Sequence, residues 1–299
     1  MLDIALLTER KYINSKETDW YTQQVLLEDK LVKIALENLG YKVEIVNWDH
    51  EDFDWSEPKL CIFRTIWDYF HRYEEFSNWL SSASERTNFL NPQKTIEWNI
   101  DKHYLADLDS KGIPIVPSYF IEKGSQVSLA ELADKLKWEK FILKPCISGA
   151  ARHTYAIEAI KCDEYEKIFQ ELISDESMML QPFMHQIETK GEVSHIVFGG
   201  KYSHSVLKIA KEGDFRVQDD FGGSVHDYSA SKEEINFAEQ AVAACVPLPS
   251  YARVDVVWDN NDQLAIGELE LIEPELWFRK CETAADQFAR VIDAHFKAL

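Results

Sequence analysis

Residues 252–270 read ARVDVVWDNNDQLAIGELE, two strand-length apolar runs on either side of a polar turn. The spacing predicts a hairpin. Asp255 lies on the outgoing strand, and Glu268 and Glu270 lie two apart on the return strand. Residues two apart on a strand share a face, so the glutamates point the same way and Asp255 can join them across the pair. Val254, Val256, Leu269 and Leu271 fill the opposite face. Carboxylates converging in an otherwise apolar sheet repel one another unless a cation intervenes. Such oxygen ligands suit magnesium that is also held by substrate phosphates. The competing reading, a solvated sheet face with scattered acids, is weakened by the apolar partners.

Upstream, ILKPCISGAARHTY (142–155) opens as a buried strand carrying Lys144 and turns into a run of small residues. A lysine on a buried strand is costly unless it meets an anion. Ser148 and Gly149 allow backbone N–H groups to approach phosphate oxygens, with Arg152 and Thr154 completing the loop. A lysine that snorkels to solvent before a plain turn is the alternative. No Gly-Lys-Ser/Thr follows, so this is not a Walker A loop. LQPFMHQIETKGEV (180–193) reads as a strand and a short extended linker. Its backbone and Gln181 are placed to read an adenine edge, and Glu188 or Glu192 to bind ribose hydroxyls; a surface loop fits equally. KIAKEGDFRVQDDFGGS (208–224) ends a strand on Lys208 and carries Arg216 and Gln218 in a polar loop closing on Gly222-Gly223. That suits a lid over an anionic intermediate, or a surface loop.

The remaining chain reads as alternating strands and helices. The first 95 residues follow a β-α-β-β-α-β order, an open α/β module. Its first helix carries apolar Leu27, Leu31, Ile34, Ala35 and Leu39 near helical spacing. KTIEWNIDKHYLADLDSKGIP reads as one helix ending at Gly112, and Ser128 with Glu131 forms a capping-box pattern. At 299 residues two or three packed modules are expected. The net charge of −20 disfavours nucleic-acid or anionic-membrane binding, which need a basic footprint, but not a nucleotide site built from a few cations. No apolar run spans a bilayer, and the N-terminus lacks the pattern of a signal peptide, so a cytoplasmic location is expected. Five scattered cysteines without Cys-x-x-Cys spacing argue against disulfides and a zinc site.

Taken in order, Lys102, the Lys144–Thr154 strand and loop, the linker with Gly191-Glu192, Lys208, the Arg216-x-Gln218…Gly-Gly loop and Asp255…Glu268-x-Glu270 resemble the ATP-grasp superfamily. The resemblance is to its glutathione-synthetase-like branch, and there to the cyclo-ligase subgroup of D-cycloserine biosynthesis, which closes O-ureidoserine into a ring. It covers about the last 200 residues. RTIWDYF (64–70), with Arg64, Trp67, Asp68 and Tyr69, resembles that subgroup's substrate-side signature. The resemblance implies an α/β (α+β) chain with an ATP-grasp fold. The domains would be an N-terminal pre-ATP-grasp domain (1–95), a central subdomain (96–182) and a C-terminal subdomain with the metal site (183–299).

Carried over by residue, Lys102 and Lys144 would neutralise the α and β phosphates under the Ser148–Thr154 loop. Gln181, Pro182 and Phe183 would line the adenine site and Glu192 the ribose. Lys208, Arg216 and Arg253 would meet the γ-phosphate and acyl phosphate. Asp255, Glu268 and Glu270 would hold two magnesium ions, with manganese as an alternative. Gln218, Gly222 and Gly223 would close on substrate. The chain departs from the family in having Glu270 where Asn is frequent, Gln181 where an acid is common, Gln218 where Asn is common, and a single glycine in the phosphate loop. The implied activity is an ATP- and Mg-dependent carboxylate–amine ligase or cyclo-ligase acting through an acylphosphate on small molecules. Related enzymes are often homo-oligomers. An ATP-binding regulatory protein and a small-molecule kinase on the same scaffold remain as alternatives.

Overall fold

The computed structural model describes residues 2–16, 19–211, 213–214, 216–217 and 222–299. The N-terminal module runs β1 (Ile4–Thr8), α1 (Trp20–Asn38), β2 (Val43–Asn47), β3 (Leu60–Thr65), α2 (Tyr73–Ser84) and β4 (Asn88–Phe89). Its parallel sheet has the order β2-β1-β3-β4. Helix α1 starts where Asp19 accepts the Thr22 N–H at 2.9 Å, an N-cap. The face it buries carries Val25, Val32, Ala35 and Leu36, whereas Leu27, Ile34 and Leu39 are exposed, so the apolar stripe is rotated from the one expected.

The segment expected as one helix is two, α3 (Gln93–Ile100) and α4 (Tyr104–Ser110), broken at 101–103. The Lys102 N–H there leaves the helix to bond the Cys146 carbonyl at 2.9 Å. Next come β5 (Tyr119–Ile121), α5 (Leu129–Leu136), β6 (Lys140–Pro145), β7 (Tyr155–Glu158), α6 (Cys162–Asp175) and β8 (Met178–Pro182). They form an antiparallel sheet ordered β5-β8-β6-β7, and the capping box at Ser128 and Glu131 is present. The linker after β8 is not extended but holds a helical turn, α7 (Ile187–Lys190).

A larger antiparallel sheet follows: β9 (Glu192–Phe198), β10 (Lys201–Ile209), β11 (Ser224–Tyr228), then α8 (Lys232–Ala243), β12 (Tyr251–Trp258), β13 (Leu264–Glu270) and α9 (Ala284–Phe296), with strand order β11-β10-β9-β12-β13. Strand β11 follows directly on the polar loop; it is an edge strand with mostly exposed residues, so apolar alternation does not mark it. No described helix is long and apolar enough to cross a membrane.

The N-terminal module and the large sheet share one core, in which Ile4, Leu6 and Ile62 meet Ile196, Phe198, Tyr251 and Phe288. Buried Asn91, at φ 59°, ties the two together. Its amide nitrogen donates to the Tyr251 and Leu271 carbonyls at 3.0 and 2.8 Å, and its oxygen accepts from Ser250 N–H at 2.6 Å. Asn91→Ala leaves these buried groups unpaired and should lower stability by roughly 2 kcal/mol or more, read as the shift in urea unfolding midpoint. An unshifted midpoint would show that the clamp does not hold the modules.

Candidate active site

The large sheet keeps one face apolar and charges part of the other. Val254, Val256, Leu269 and Leu271 are buried on the first, as expected. On the second, Asp255 is paired with Glu268, and Arg253 with Glu270, across β12–β13. Lys208 faces Glu192 across β10–β9. Lys208 Nζ contacts the Glu192 carboxylate and lies 3.4 Å from Asp255 Oδ1. Arg253 Nη2 lies 2.8 Å from Asp255 Oδ2 and also contacts Glu270. Ser194 Oγ donates to Asp255. From the turn between α3 and α4, Lys102 Nζ reaches Glu268 at 3.0 Å and donates to the Ser148 carbonyl at 2.7 Å.

One ligand oxygen from each of Asp255, Glu268 and Glu270 lies within 4.8 Å of the others. Burial would raise Asp255, but Arg253 and Lys208 beside it hold it well below the usual carboxylate range. Burial likewise opposes Glu268, and Lys102 and Lys144 bring it down. Glu270 goes the other way: burial pushes it up to about 8 despite Arg253, with Glu268 and Asp255 adding to the rise. Three acids at this spacing are short of positive charge, and a divalent cation fits the donor set.

These groups face a cavity of about 530 Å³. Its far wall is the smaller antiparallel sheet, presenting Lys144, Gln181, Pro182 and Phe183, with Ser148, Gly149 and Thr154 from the loop. Burial lowers Lys144, which makes no ion pair among the described residues. The loop is tightly wound: Ala150, Ala151 and His153 all have φ near 50°, a conformation costly for residues other than glycine. A Cβ at Gly149 would stand 2.6 Å from the Phe70 ring, so the loop seats against the N-terminal module. That module contributes Trp67, Asp68 and Tyr69 to the cavity.

Lys208, Glu192, Arg216 and Arg253 also line the cavity; Arg216 donates to Asp214 at 2.7 Å. Several expected residues do not line it. Arg64 points with Leu60 and Ile62 into the shared core, where its Nε lies 3.4 Å from Asp29 and its guanidinium over Phe278. Arg152 turns away to pair with Glu176, and Glu188 is exposed on α7. Gly222 and Gly223 lie outside the lining residues, and Gln218 lies outside the described residues. The histidines stand apart from the charged row: His195, lowered by burial to about 4, bonds Ser205 Oγ at 2.7 Å, and His204 bonds the Leu276 carbonyl at 2.9 Å. The cysteines are free, as expected. Cys146 does approach Asp101 and His103, a grouping its lone position in sequence does not announce.

Sequence reasoning missed Ser194 and Glu273, and it placed Gly191 in the ordered motif without giving it a role. Ser194 and Glu273 carry no spacing signal. Gly191 is marked only by its place before a strand.

Residues 108–276 match the RimK-like ATP-grasp domain, and the chain belongs to that family. It is an ATP-dependent carboxylate–amine ligase by family and fold. Residues 4–91 match the N-terminal domain of D-cycloserine synthetase DcsG. Among relatives, the cycloserine biosynthesis protein DcsG of Streptomyces lavendulae is 27% identical over 281 residues, covering 88% of this chain and 92% of that protein. A crystal structure of D-cycloserine synthetase DcsG superposes with a TM-score of 0.85 at 24% identity, over 98% of this chain and 99% of that one. D-alanine–D-alanine ligase from Bacillus anthracis superposes with a TM-score of 0.67 at 14% identity, over 99% of this chain and 97% of that one.

Gly191 holds the β9–β10 charge pair in place. It has φ 75°, and a Cβ there would stand 2.4 Å from the Lys208 carbonyl oxygen. Gly191→Ala should therefore displace Lys208, cutting ADP formation at least about tenfold and lowering stability by about 1–3 kcal/mol. Both are read on the same preparation by coupled assay and urea unfolding. A variant with unchanged turnover would separate the strand contact from the site.

Proposed function

We propose that the chain closes or joins an amino-acid-sized carboxylate substrate in three domains, 1–95, 96–182 and 183–299. The reading is carried by one observation: Asp255, Glu268 and Glu270 converge within 4.8 Å at a cavity that also gathers Lys102, Lys144, Lys208 and Arg253. Lys102 and Lys144 hold the α and β phosphates under the Ser148–Thr154 loop. Gln181, Pro182 and Phe183 take the adenine. Glu192 sits against Lys208 rather than free for a ribose, so its part is to orient that lysine. The acid trio would hold two magnesium ions, with manganese able to substitute, and these would supply positive charge to the transferring phosphate.

In the reaction, the substrate carboxylate oxygen attacks the γ-phosphorus and ADP leaves. Arg253, Lys208 and Arg216 face the charge that develops. An amine or similar nucleophile then attacks the acyl carbon, the C–O bond to phosphate breaks, and inorganic phosphate departs as the nucleophile loses a proton. Catalysis is positioning and charge neutralisation, without a nucleophilic side chain. An intramolecular join is supported by the likeness to DcsG over both family matches. A cytoplasmic location, with ATP at hand, goes with this reading.

The test is magnesium-dependent release of ADP and phosphate over a panel of O-ureidoserine, single amino acids and amino-acid pairs. Release with one carboxylate alone indicates a cyclo-ligase, and release needing a pair indicates an intermolecular ligase. Phosphate retained on product indicates a kinase. No release with any member, while Mg-ATP still raises the melting temperature, points to a binding protein. Glu268→Gln and Lys144→Ala should each reduce turnover by about 100-fold or more with the fold intact by circular dichroism. Normal ADP formation by either would sink the site assignment.

A further inference from the structure

Among the described residues, every carboxylate lining the cavity except Glu273 has a cationic side chain within 4.0 Å. Glu273 has none. Its backbone is pinned, since the Trp67 indole N–H donates to its carbonyl at 3.0 Å. Its side chain lines the cavity beside that of Tyr69, which is 4% exposed. Burial pushes the carboxyl up to about 7 even with Tyr69, Lys102 and Arg253 in the vicinity. An acid held in place inside a cavity without its counter-ion is poised to receive one from the ligand.

The surroundings say which kind of cation. A divalent metal asks for several oxygen ligands, and Glu273 belongs to no group of converging metal donors among the described residues. The same cavity instead presents the rings of Tyr12, Tyr21 and Trp67, with Tyr12 and Trp67 edge to face at 6.0 Å. One carboxylate, one phenol and aromatic walls suit a compact organic monocation. Glu273 follows Glu270 by three residues, which bounds their Cα separation to roughly 10 Å, the scale of one amino-acid-sized molecule with its contacts.

We propose that Glu273, in the cavity it shares with Tyr69, Tyr12 and Trp67, receives a primary ammonium group of the substrate. This rests on the ligase reading for its second half: the substrate's reacting carboxylate lies toward Arg253 and the acid trio, and its ammonium toward the N-terminal module. The cavity is then polarised along the substrate, and the N-terminal module selects it through Tyr69 and Trp67.

The test compares wild type with Glu273→Gln, using the panel member that releases ADP and its analogue with hydrogen in place of the amino group. In wild type the analogue should lose roughly 30-fold or more in kcat/KM, the loss seen when one partner of a buried charge pair is removed. Glu273→Gln should lose a similar factor on the amino substrate, discriminate poorly between the two, and keep the wild-type KM for Mg-ATP. Equal discrimination by both enzymes, or full activity of Glu273→Gln on the amino substrate, overturns the proposal. Should wild type release no ADP with any panel member, the ligase reading fails by itself. Calorimetry of the same amino acids against protein loaded with Mg-AMPPNP then decides: binding weakened by Glu273→Gln supports the ammonium subsite, and no binding to wild type, or equal binding to both, overturns it.

Discussion

The row of buried charges across β10, β9, β12 and β13 is the constraint on which the rest of the molecule depends. Lys208, Glu192, Asp255, Arg253, Glu270 and Glu268 interleave two cations with four carboxylates over four strands, and Lys102 closes the row from outside the sheet. Buried ion pairs are poor sources of stability, because desolvation consumes most of their attraction, while loss of one partner strands the other at a cost of several kcal/mol. A structure that retains such a row must fix every member. The sheet does so by register: Lys208 is opposite Glu192 and Arg253 opposite Glu270 on the neighbouring strands, Arg253 and Lys208 flank Asp255, and the hydrophobic face behind them forbids a slip.

The surrounding elements are bent to this requirement. The turn at 101–103 breaks what would be one long helix, and both of its flanks grip β13. Asn99 donates to the Leu269 carbonyl at 2.8 Å and accepts from the Leu271 N–H at 2.7 Å, while the Tyr104 hydroxyl accepts from the Leu269 N–H at 2.9 Å. Lys102, between them, is therefore delivered to Glu268 by backbone grips on either side of that residue. Asn91 does the same for the N-terminal module, fixing it to the ends of β12 and β13. Trp67 and Tyr69 thus reach the cavity from a module that contributes nothing to the charged row itself.

How much of this is legible in the sequence follows from the range of each interaction. The hairpin, its acid trio and its apolar reverse face are written in a period of two, and the structure has them as read. Lys144 and the small-residue loop are equally local. Arg64 is misread because a strand's side chains alternate, and nothing in RTIWDYF says which parity faces the cavity; its parity is that of Ile62, inward. Arg152 and Glu188 are misassigned because loops carry no period. The break before α4 has neither proline nor glycine to announce it; it is imposed by the grips on β13, from residues some 170 positions away. Glu273 is silent for the same reason, being one acid before a proline until three separate segments enclose it.

The same row also explains how an acidic chain can take a polyanion. Before any ligand arrives, each cation is occupied by a carboxylate and each acid of the trio, Glu270 least completely, by a cation. In the ligase reading, binding of magnesium and phosphates would be an exchange of partners: the acids would serve the metal, and Lys102, Lys208 and Arg253 would serve phosphate oxygens. The groups are already dehydrated and oriented, so the exchange costs little further desolvation, and most of the attraction remains for positioning. Lys144 stands outside the exchange on the opposite sheet, without an ion pair among the described residues. Burial disfavours its charge and the more distant Glu268 and Glu192 offset that only in part, so in the ligase reading a phosphate between the two sheets would supply the close anion it lacks.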